Sequence, residues 1–266
     1  MTMPRDSVTY VGHATVLIQL GGARLITDPW LRRTLVGGLR RHRGTGEADP
    51  GAVDAILISH LHRDHLDRAS LRRFDRSVPV VAAPGAAEVV ERWGFERVTE
   101  LAPGEATTVA GASVTAVEAR HPSRRLVPRV RGKAVGFLVE RGARVYFAGD
   151  TGLFPGMAEL GGGLDLALLP VWGWGPTLGP AHLDPEDAAR AAAMMRPRVA
   201  VPIHWGTLGP LGAPRLWPWL FERPGRRFAE HAARLAPDVE VRALEAGESL
   251  RFAAEQGGSA TRPGSR

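Results

Sequence analysis

The chain has 266 residues, of which 44% are hydrophobic and 23% are charged, a balance that lets a sizeable core form. This length predicts one large α/β domain, or at most two small ones. Cysteine is absent, which excludes disulfides and thiolate ligands, so any metal must be held by imidazole and carboxylate groups.

The N-terminal segment does not have the pattern of a secretory signal. Asp6 follows the one early arginine, and His13 and Gln19 interrupt the apolar run. No apolar run of about 20 residues occurs along the chain, so we expect no membrane span. We therefore expect a cytoplasmic protein, and the lack of cysteine is consistent with a reducing compartment.

The net charge of +6 comes almost entirely from arginine, since Lys133 is the only lysine. One interpretation is an anionic partner, either nucleic acid or a phosphorylated small molecule. The other is a coding bias toward arginine with a solvated charged surface, which we favour for the total charge. The arginine clusters are Arg32–Arg33, Arg40–Arg41 with Arg43, and Arg124–Arg125 with Arg129 and Arg131.

Short runs rich in Val, Ile and Leu recur between Gly and Pro residues, as is typical of buried strands. The first two, ATVLIQL and ARLITD, flank Gly21–Gly22 and predict a hairpin. The segment from Arg32 to Pro50 is rich in Arg and Gly and is predicted to be a long loop. Further strands are predicted, in chain order, at AILIS, VPVVAA, ASVTAVEA, AVGFLVE, ARVYFAG, LDLALLP and RVAVPI.

Helices are predicted between some of these strands, at GAAEVVERWG and DPEDAARAAAMM. In the second, Asp184 is the expected N-cap and Pro185 the first helical residue. Strands followed by strand–helix alternation, in both halves of the chain, predict two sheets packed face to face with helices outside. We expect one domain over 5–253 and a disordered tail over 254–266.

The segment ISHLHRDHLD places three histidines and an aspartate within six residues, directly after a predicted strand. His60 and His62 are two residues apart, so an extended backbone would direct them to the same side. Asp64 and His65 follow at once. Four such side chains in one turn serve two adjacent metal ions better than one, and imidazole and carboxylate suit zinc, iron or manganese.

Other candidate ligands follow other predicted strands. His121 follows ASVTAVEA, Asp150 ends ARVYFAGD, and His204 follows RVAVPI. Brought to one edge of the sheets, these three side chains would complete a two-metal site with the histidine-rich turn. His182 borders the DPEDAAR helix, and His13 lies in the first strand turn.

These motifs resemble the metallo-β-lactamase fold superfamily. HLHRDH is similar to its HxHxDH signature, and EARHPSRR, FAGDTG and VPIHWGT match its later elements in order. The flanking segments YVGHATVLIQL, LITDPW and HLDPEDA resemble the branch containing ascorbate-6-phosphate lactonase and N-acyl-phosphatidylethanolamine phospholipase D. The resemblance implies an α/β fold, a four-layer αββα sandwich of the metallo-β-lactamase type.

The resemblance also implies a binuclear metal centre. Zn²⁺ is the expected ion at both sites, with Mn²⁺ or Fe²⁺ as alternatives. A hydroxide bridging the two ions would be the nucleophile, because metal binding lowers the pKa of water from about 15.7 to about 7. The implied ligands are His60, His62 and His121 for one ion, Asp64, His65 and His204 for the other, and Asp150 as a bridge.

Two interpretations are open for residues beside this centre. His182 either reaches the pocket, to bind a phosphate or protonate a leaving group, or only arranges the helix start. We favour the pocket, which makes His182 a catalytic candidate together with Asp64 and Asp150. Trp172 and Trp174 either line a substrate pocket or are packed as ordinary apolar rings.

Arg124 and Arg125 follow His121, and they either grip an anionic group of the substrate with forked guanidinium donors or lie in a solvated loop. His13 is expected to orient neighbouring groups rather than bind metal. Asp28 is expected to hold the outer N–H of a ligand imidazole. Two further histidines are expected at the surface, His42 and His231.

We therefore expect a metal-dependent hydrolase that attacks a phosphodiester, lactone or related ester of a small-molecule substrate, anionic or phosphorylated. β-Lactamases with a cysteine ligand are excluded by composition. The alternative is a nucleic-acid-binding or nucleolytic protein that uses its arginine-rich surface, whose binding would weaken steeply with salt. We do not expect nucleic acid as the partner, and the oligomeric state is open.

Overall fold

The structure is a computed structural model, and it describes residues 6–35, 38–42, 50–125, 130–173 and 178–252. The predicted tail at 254–266 lies outside these residues, as do both limits of the predicted domain. Among the described residues, no helix has the length and apolar character needed to cross a bilayer.

The strands are numbered in chain order. They are β1 (Ser7–Gly12), β2 (Thr15–Leu20), β3 (Ala23–Thr27), β4 (Leu39–Arg41), β5 (Ala55–Ile58), β6 (Val80–Ala82), β7 (Val98–Glu100), β8 (Ala106–Val109), β9 (Ala112–Arg125), β10 (Val130–Arg141), β11 (Ala143–Phe147), β12 (Leu166–Pro170), β13 (Val199–Ile203), β14 (Leu208–Pro210), β15 (Glu240–Val241) and β16 (Ser249–Arg251). The predicted hairpin is β2–β3, and each further predicted strand forms, which confirms these predictions.

The described strands form two seven-stranded sheets and a small ribbon of β14 and β4. The first sheet has the order β16-β1-β2-β3-β5-β6-β7, antiparallel as far as β3 and parallel from there. The second has the order β15-β13-β12-β11-β10-β9-β8, parallel as far as β11 and antiparallel beyond it. Each sheet therefore has one parallel side and one antiparallel side.

The main core lies between the two sheets. Ala55 and Leu57 of β5 contribute to it, whereas Ile56 and Ile58 belong to a second cluster on the outer face of the first sheet. The apolar run AILI is continuous because β5 is buried on both faces. In the second sheet, Tyr146 of β11 likewise points outward into a separate cluster.

Helices cover both outer faces. Those of the first sheet pack on the cluster that contains Ile56, and α3 and α5 pack on the cluster that contains Tyr146. This arrangement is the four-layer αββα sandwich, as predicted. The helices are α1 (Arg68–Leu71), α2 (Ala87–Glu91), α3 (Pro185–Met195), α4 (Ala213–Leu216) and α5 (Trp219–Leu235).

The start of α3 confirms the predicted cap. Asp184 accepts hydrogen bonds from the backbone N–H groups of Glu186 and Asp187, at 2.9 and 2.8 Å. Pro185 is the first helical residue, where a missing N–H has no cost. The cap fixes where α3 begins, and thereby where the preceding loop with His182 lies.

The loop prediction for 32–50 was wrong in part, because β4 lies within it and pairs with β14. Arg41 of β4 is half-buried, with its guanidinium 4.5 Å from the ring centroid of Trp30. It donates hydrogen bonds to the backbone carbonyls of Trp30, Val11 and Arg32. This arginine is thus used inside the fold, since five N–H donors can satisfy several carbonyls at once.

Candidate metal centre

The site residues meet at one edge of the two sheets, where the parallel strands end. β5 ends just before Ser59 and His60, while β11 and β13 end close to Asp150 and His204. The carboxyl ends of parallel strands are where open α/β sheets usually bind ligands. The polar side chains that follow these strands therefore meet at one edge, where the two sheets face each other.

The chain after β5 forms a turn in which the backbone N–H groups of His65 and Leu66 bond to the carbonyl of His62, at 3.1 and 2.7 Å. The turn directs His60 and His65 into the protein, where both are fully buried. Asp64 is also buried, whereas His62 is half-buried. The HxHxDH spacing thus becomes a cluster of side chains around one space.

We call His60, His62 and His121 the first ligand group, because their ring nitrogens lie close enough together to be candidate ligands of one ion. His62 Nδ1 lies 3.0 Å from His60 Nε2 and 3.1 Å from His121 Nε2. We expected His121 just after a strand, but β9 continues through it. The β9–β10 register shifts between Lys133 and Val135, which leaves extra residues on β9 around His121. Such a bulge bends the strand and redirects a side chain, here toward the turn after β5.

The second ligand group consists of Asp64, His65 and His204. The rings of His65 and His204 are stacked, with Nε2 atoms 3.2 Å apart. Asp64 Oδ2 lies 3.7 Å from His65 Nε2 and 4.0 Å from His204 Nε2. All three residues are buried, so this group is enclosed by the protein.

Asp150 lies between the two groups. Its Oδ2 is 3.9 Å from the Nε2 atoms of both His60 and His121, and 3.4 Å from His65 Nε2. Its Oδ1 is 3.2 Å from His204 Nε2. One carboxylate therefore faces ring nitrogens of both groups.

Asp28, fully buried at the end of β3, sets the tautomers of two ligand rings. His65 Nδ1 donates to Asp28 Oδ2 at 2.7 Å, which confirms the expected role of this aspartate. Ser59 Oγ donates to the same oxygen at 2.5 Å and accepts from His60 Nδ1 at 2.9 Å. Because Nδ1 carries the proton in both rings, both Nε2 lone pairs point into the site.

Backbone carbonyls do the same for two other rings. His204 Nδ1 donates to the carbonyl of Trp172 at 2.7 Å, and His121 Nδ1 donates to the carbonyl of Ala181 at 2.9 Å. A carbonyl only accepts, so these rings also turn an unprotonated Nε2 inward. The sequence does not reveal these partners, because every residue has a backbone carbonyl whatever its type.

This donor set fits a cation. His204 Nε2 and Asp150 Oδ1 are both acceptors, yet they lie 3.2 Å apart, and Asp150 Oδ1 is buried without a hydrogen-bond partner in the described part of the chain. In its neutral form His65 adds a third acceptor, with Nε2 3.2 Å from His204 Nε2. Facing lone pairs repel one another unless positive charge lies between them, and nitrogen and carboxylate ligands suit divalent transition metals.

The pKa values of the rings agree with this arrangement. Burial lowers the pKa of His60 and lowers that of His121 to about 4, so both rings are neutral near pH 7 and able to act as ligands. Burial also acts to lower the pKa of His65, but the carboxylates of Asp150 and Asp64 outweigh it and raise that pKa well above its usual value, so His65 Nε2 takes up a proton unless another cation neutralises these carboxylates. The site thus attracts positive charge.

His182 lies at the rim of the same space. Its side chain is 27% exposed, and its Nε2 is 3.5 Å from Asp150 Oδ2. Its ring centroid is 4.6 Å from that of His121. The residue therefore reaches both the ligands and solvent, as a pocket role requires.

The structure brings only part of the predicted substrate contacts into view. Trp172 is half-buried, holds His204 through its carbonyl, and packs its ring edge-on against Trp219 at 6.4 Å. Trp172 is therefore both packed against another apolar ring and close to the site. Trp174 lies outside the described residues, as do the side chains of Arg124 and Arg125, whose backbone belongs to β9.

Two other histidines differ in how they match expectation. His13 is buried, and its Nε2 is 2.9 Å from Asp64 Oδ2, so it contacts a candidate ligand, while its expected orienting role stays a prediction. The surface position expected for His42 was wrong. It is half-buried, and its Nε2 lies 3.0 and 2.9 Å from the carbonyl oxygens of Gly209 and Pro210. His42 therefore holds β4 to β14.

Known proteins are similar to this chain both in sequence and in fold. Residues 23–205 match the beta-lactamase superfamily domain. A UPF0173 metal-dependent hydrolase of Thermus thermophilus is 35% identical over 248 residues, which cover 92% of this chain and 98% of that protein. Another, of Methanopyrus kandleri, is 32% identical over 249 residues, covering 91% and 98%.

Among solved structures, Igni18, a metallo hydrolase of the archaeon Ignicoccus hospitalis, has a TM-score of 0.70 and 24% identity. The match covers 94% of this chain and 99% of that one, and it shows the same fold. Family match, full-length relatives and fold agree with one another. The chain belongs to the beta-lactamase superfamily, in the family of the UPF0173 metal-dependent hydrolases.

Proposed function

We propose that this protein is a binuclear metal-dependent hydrolase that cleaves a phosphodiester, a lactone or a related ester of a small anionic substrate. The observation that carries the proposal is the position of Asp150, whose carboxylate faces unprotonated Nε2 atoms of both ligand groups. One carboxylate between two sets of inward lone pairs suits two ions side by side.

In this proposal each ligand group holds one divalent ion and Asp150 touches both. Zn²⁺ is the proposed ion, and Mn²⁺ or Fe²⁺ would accept the same donors. When bound, such ions supply an activated water near neutral pH and polarise the attacked ester. The proposed ligands are His60, His62 and His121 for the first ion, Asp64, His65 and His204 for the second, and Asp150 for both.

Asp64 and His182 are the further catalytic residues that we propose. Asp64 Oδ2 is held by His13 and lies 3.7 Å from His65 Nε2, so this carboxylate is placed to bind an ion and to orient an attacking water. His182 lies at the rim, where an N–H can bind an anionic oxygen or protonate a leaving group. His182→Ala should lower turnover more than metal content, and loss of metal instead would identify His182 as a ligand or an essential support.

The substrate is proposed to be anionic because two arginines follow His121 on β9. Arg124 and Arg125 would bind its charged group, and Trp172 with Trp174 would line its less polar side. The resemblance to the branch with ascorbate-6-phosphate lactonase supports a phosphorylated lactone or phosphodiester. The cytoplasm is the proposed location.

Hydrolysis of bis(p-nitrophenyl) phosphate by metal-loaded protein tests the proposal, with Asp150→Ala as the blank. Metal content is measured on the same samples. Turnover above the blank would support a hydrolytic centre that accepts phosphodiesters. Protein with two ions and no turnover would rule out phosphodiesters and direct the assay to lactones and carboxylic esters. Protein that retains no ion would overturn the proposed function.

A further inference from the structure

His13 lies in the turn between β1 and β2, far in sequence from every proposed ligand, yet it contacts two of them. Its side chain reaches Asp64, with Nε2 at 2.9 Å from Oδ2. Its backbone carbonyl accepts the N–H of His204 at 2.8 Å. One residue thus touches two of the three members of the second ligand group, by two different parts of its structure.

The backbone around His13 is constrained as well. His13 and His204 both have left-handed backbones, with φ of 60° and 62°. A residue other than glycine in this region costs about 1–3 kcal/mol and persists only where its surroundings hold it. Thr207 supplies part of this hold, since its Oγ1 accepts the N–H of His13 at 3.0 Å. The two strained turns are therefore fastened to each other.

His13 is close enough to the centre for coordination to be an alternative. Its ring nitrogen lies within 4.8 Å of the ligand atoms of Asp64, His65 and His204. A carboxylate accepts hydrogen bonds, so we assign the proton of His13 to Nε2, from which it is donated to Asp64. A protonated nitrogen cannot coordinate a metal ion. The ring also packs on His204, with centroids 3.9 Å apart, and this further limits its movement.

We propose that His13 is a positioning residue of the second metal site, which aligns Asp64 through its side chain and His204 through its backbone carbonyl. This inference rests on the proposed two-ion function. By holding Asp64 Oδ2, His13 fixes the orientation of the carboxylate whose same oxygen lies 3.7 Å from His65 Nε2 and 4.0 Å from His204 Nε2. Loss of a group that orients a metal ligand typically weakens metal affinity about 10–100-fold, and that loss should fall on one ion of the two.

Two variants test the role. His13→Gly removes the ring and suits the left-handed backbone, because glycine adopts positive φ without strain. His13→Gln restores a side-chain N–H donor of similar reach. His231→Ala, on α5 away from the site, is the matched control for losing a histidine. Metal-free protein is titrated with Zn²⁺ against a chromophoric chelator, and the affinity of each ion is read separately.

We expect the Gly variant to bind one ion as the wild type does and the other about 10–100-fold more weakly, with most of the loss recovered in the Gln variant. The absorption of Co²⁺-loaded protein should change for that one ion alone. Wild-type affinities in the Gly variant would overturn the positioning role. Equal loss of the second ion in both variants would also overturn it, because it would make His13 a ligand. Fewer than two ions in the unaltered protein would instead overturn the two-ion function, and this inference with it.

Discussion

The two ligand groups differ in how completely the protein encloses them. All three members of the second group are buried, and each is held by another residue: Asp28 holds His65, His13 holds Asp64, and the carbonyl of Trp172 holds His204. In the first group, His62 is half-buried and His121 lies beside the rim residue His182. In the proposed two-ion centre, this difference would make the second group the one that keeps its ion and the first group the one that meets the substrate.

Asp150→Ala should have the largest effect, because this carboxylate faces inward-pointing Nε2 atoms of both groups. We expect turnover to fall to the background rate and both ions to bind more weakly, while the fold persists. Steady-state assays and metal analysis measure the two effects. Loss of one ion with the other unaffected would contradict a bridging position and make the two groups independent.

Asp28→Asn should chiefly destabilise the second ligand group. Asp28 accepts three hydrogen bonds, from the N–H and Oγ of Ser59 and from His65 Nδ1, and an amide would turn a donor toward one of them. We expect the free energy of unfolding of the metal-free protein to fall by about 2–4 kcal/mol. Urea unfolding measures it. Asp75→Asn, at an exposed turn, is the control, and an equal change in both would refute the role.

Acid should destabilise the metal-free protein through the first group. Burial lowers the pKa of His121 from 6.5 to about 4, so between these values the unfolded chain binds a proton that the folded protein does not. The free energy of unfolding should therefore decrease as pH falls from 6.5 toward 4, by about 1.4 kcal/mol for each pKa unit. Urea unfolding at several pH values checks this. His121→Asn should reduce the slope, and an unchanged slope in this variant would contradict the assignment.

Removal of metal by a chelator should show the smallest of these effects, which is a difference between the rates at which the two groups lose their ions. The half-exposed His62 gives solvent access to the first ion, so we expect that ion to leave first and about tenfold faster, a difference of about 1.4 kcal/mol in barrier. Stopped-flow release into a chromophoric chelator measures both phases. Release of both ions at one rate would show that burial does not distinguish the groups.

The histidine-rich turn could be predicted from the sequence because its side chains share one short segment after a buried strand. The strands could be predicted for a similar reason, since AILI and its counterparts are apolar runs that only a doubly covered sheet explains. The Asp184 cap of α3 depends on residues within one helical turn. In each case the residues that matter are neighbours along the chain.

His121 shows where such reasoning ends. Its residue type was a clear candidate ligand, but the bulge that aims it depends on how β9 pairs with β10. Arg41 was counted in a basic cluster, although its guanidinium donates hydrogen bonds to backbone carbonyls and lies beside Trp30. Neither the pairing of β9 with β10 nor the carbonyls that Arg41 contacts can be identified from residues that are close in the sequence.

By itself, the sequence determined the residue types that can hold metal, their order along the chain and the two-sheet architecture. These follow from periodicity and local spacing. Only the tertiary structure decided which ring nitrogen faces inward, how enclosed each ligand group is, and that His13 touches both Asp64 and His204. Those features depend on hydrogen bonds between segments that become neighbours only when the two sheets pack, and many acceptors among them are backbone carbonyls, which every residue carries.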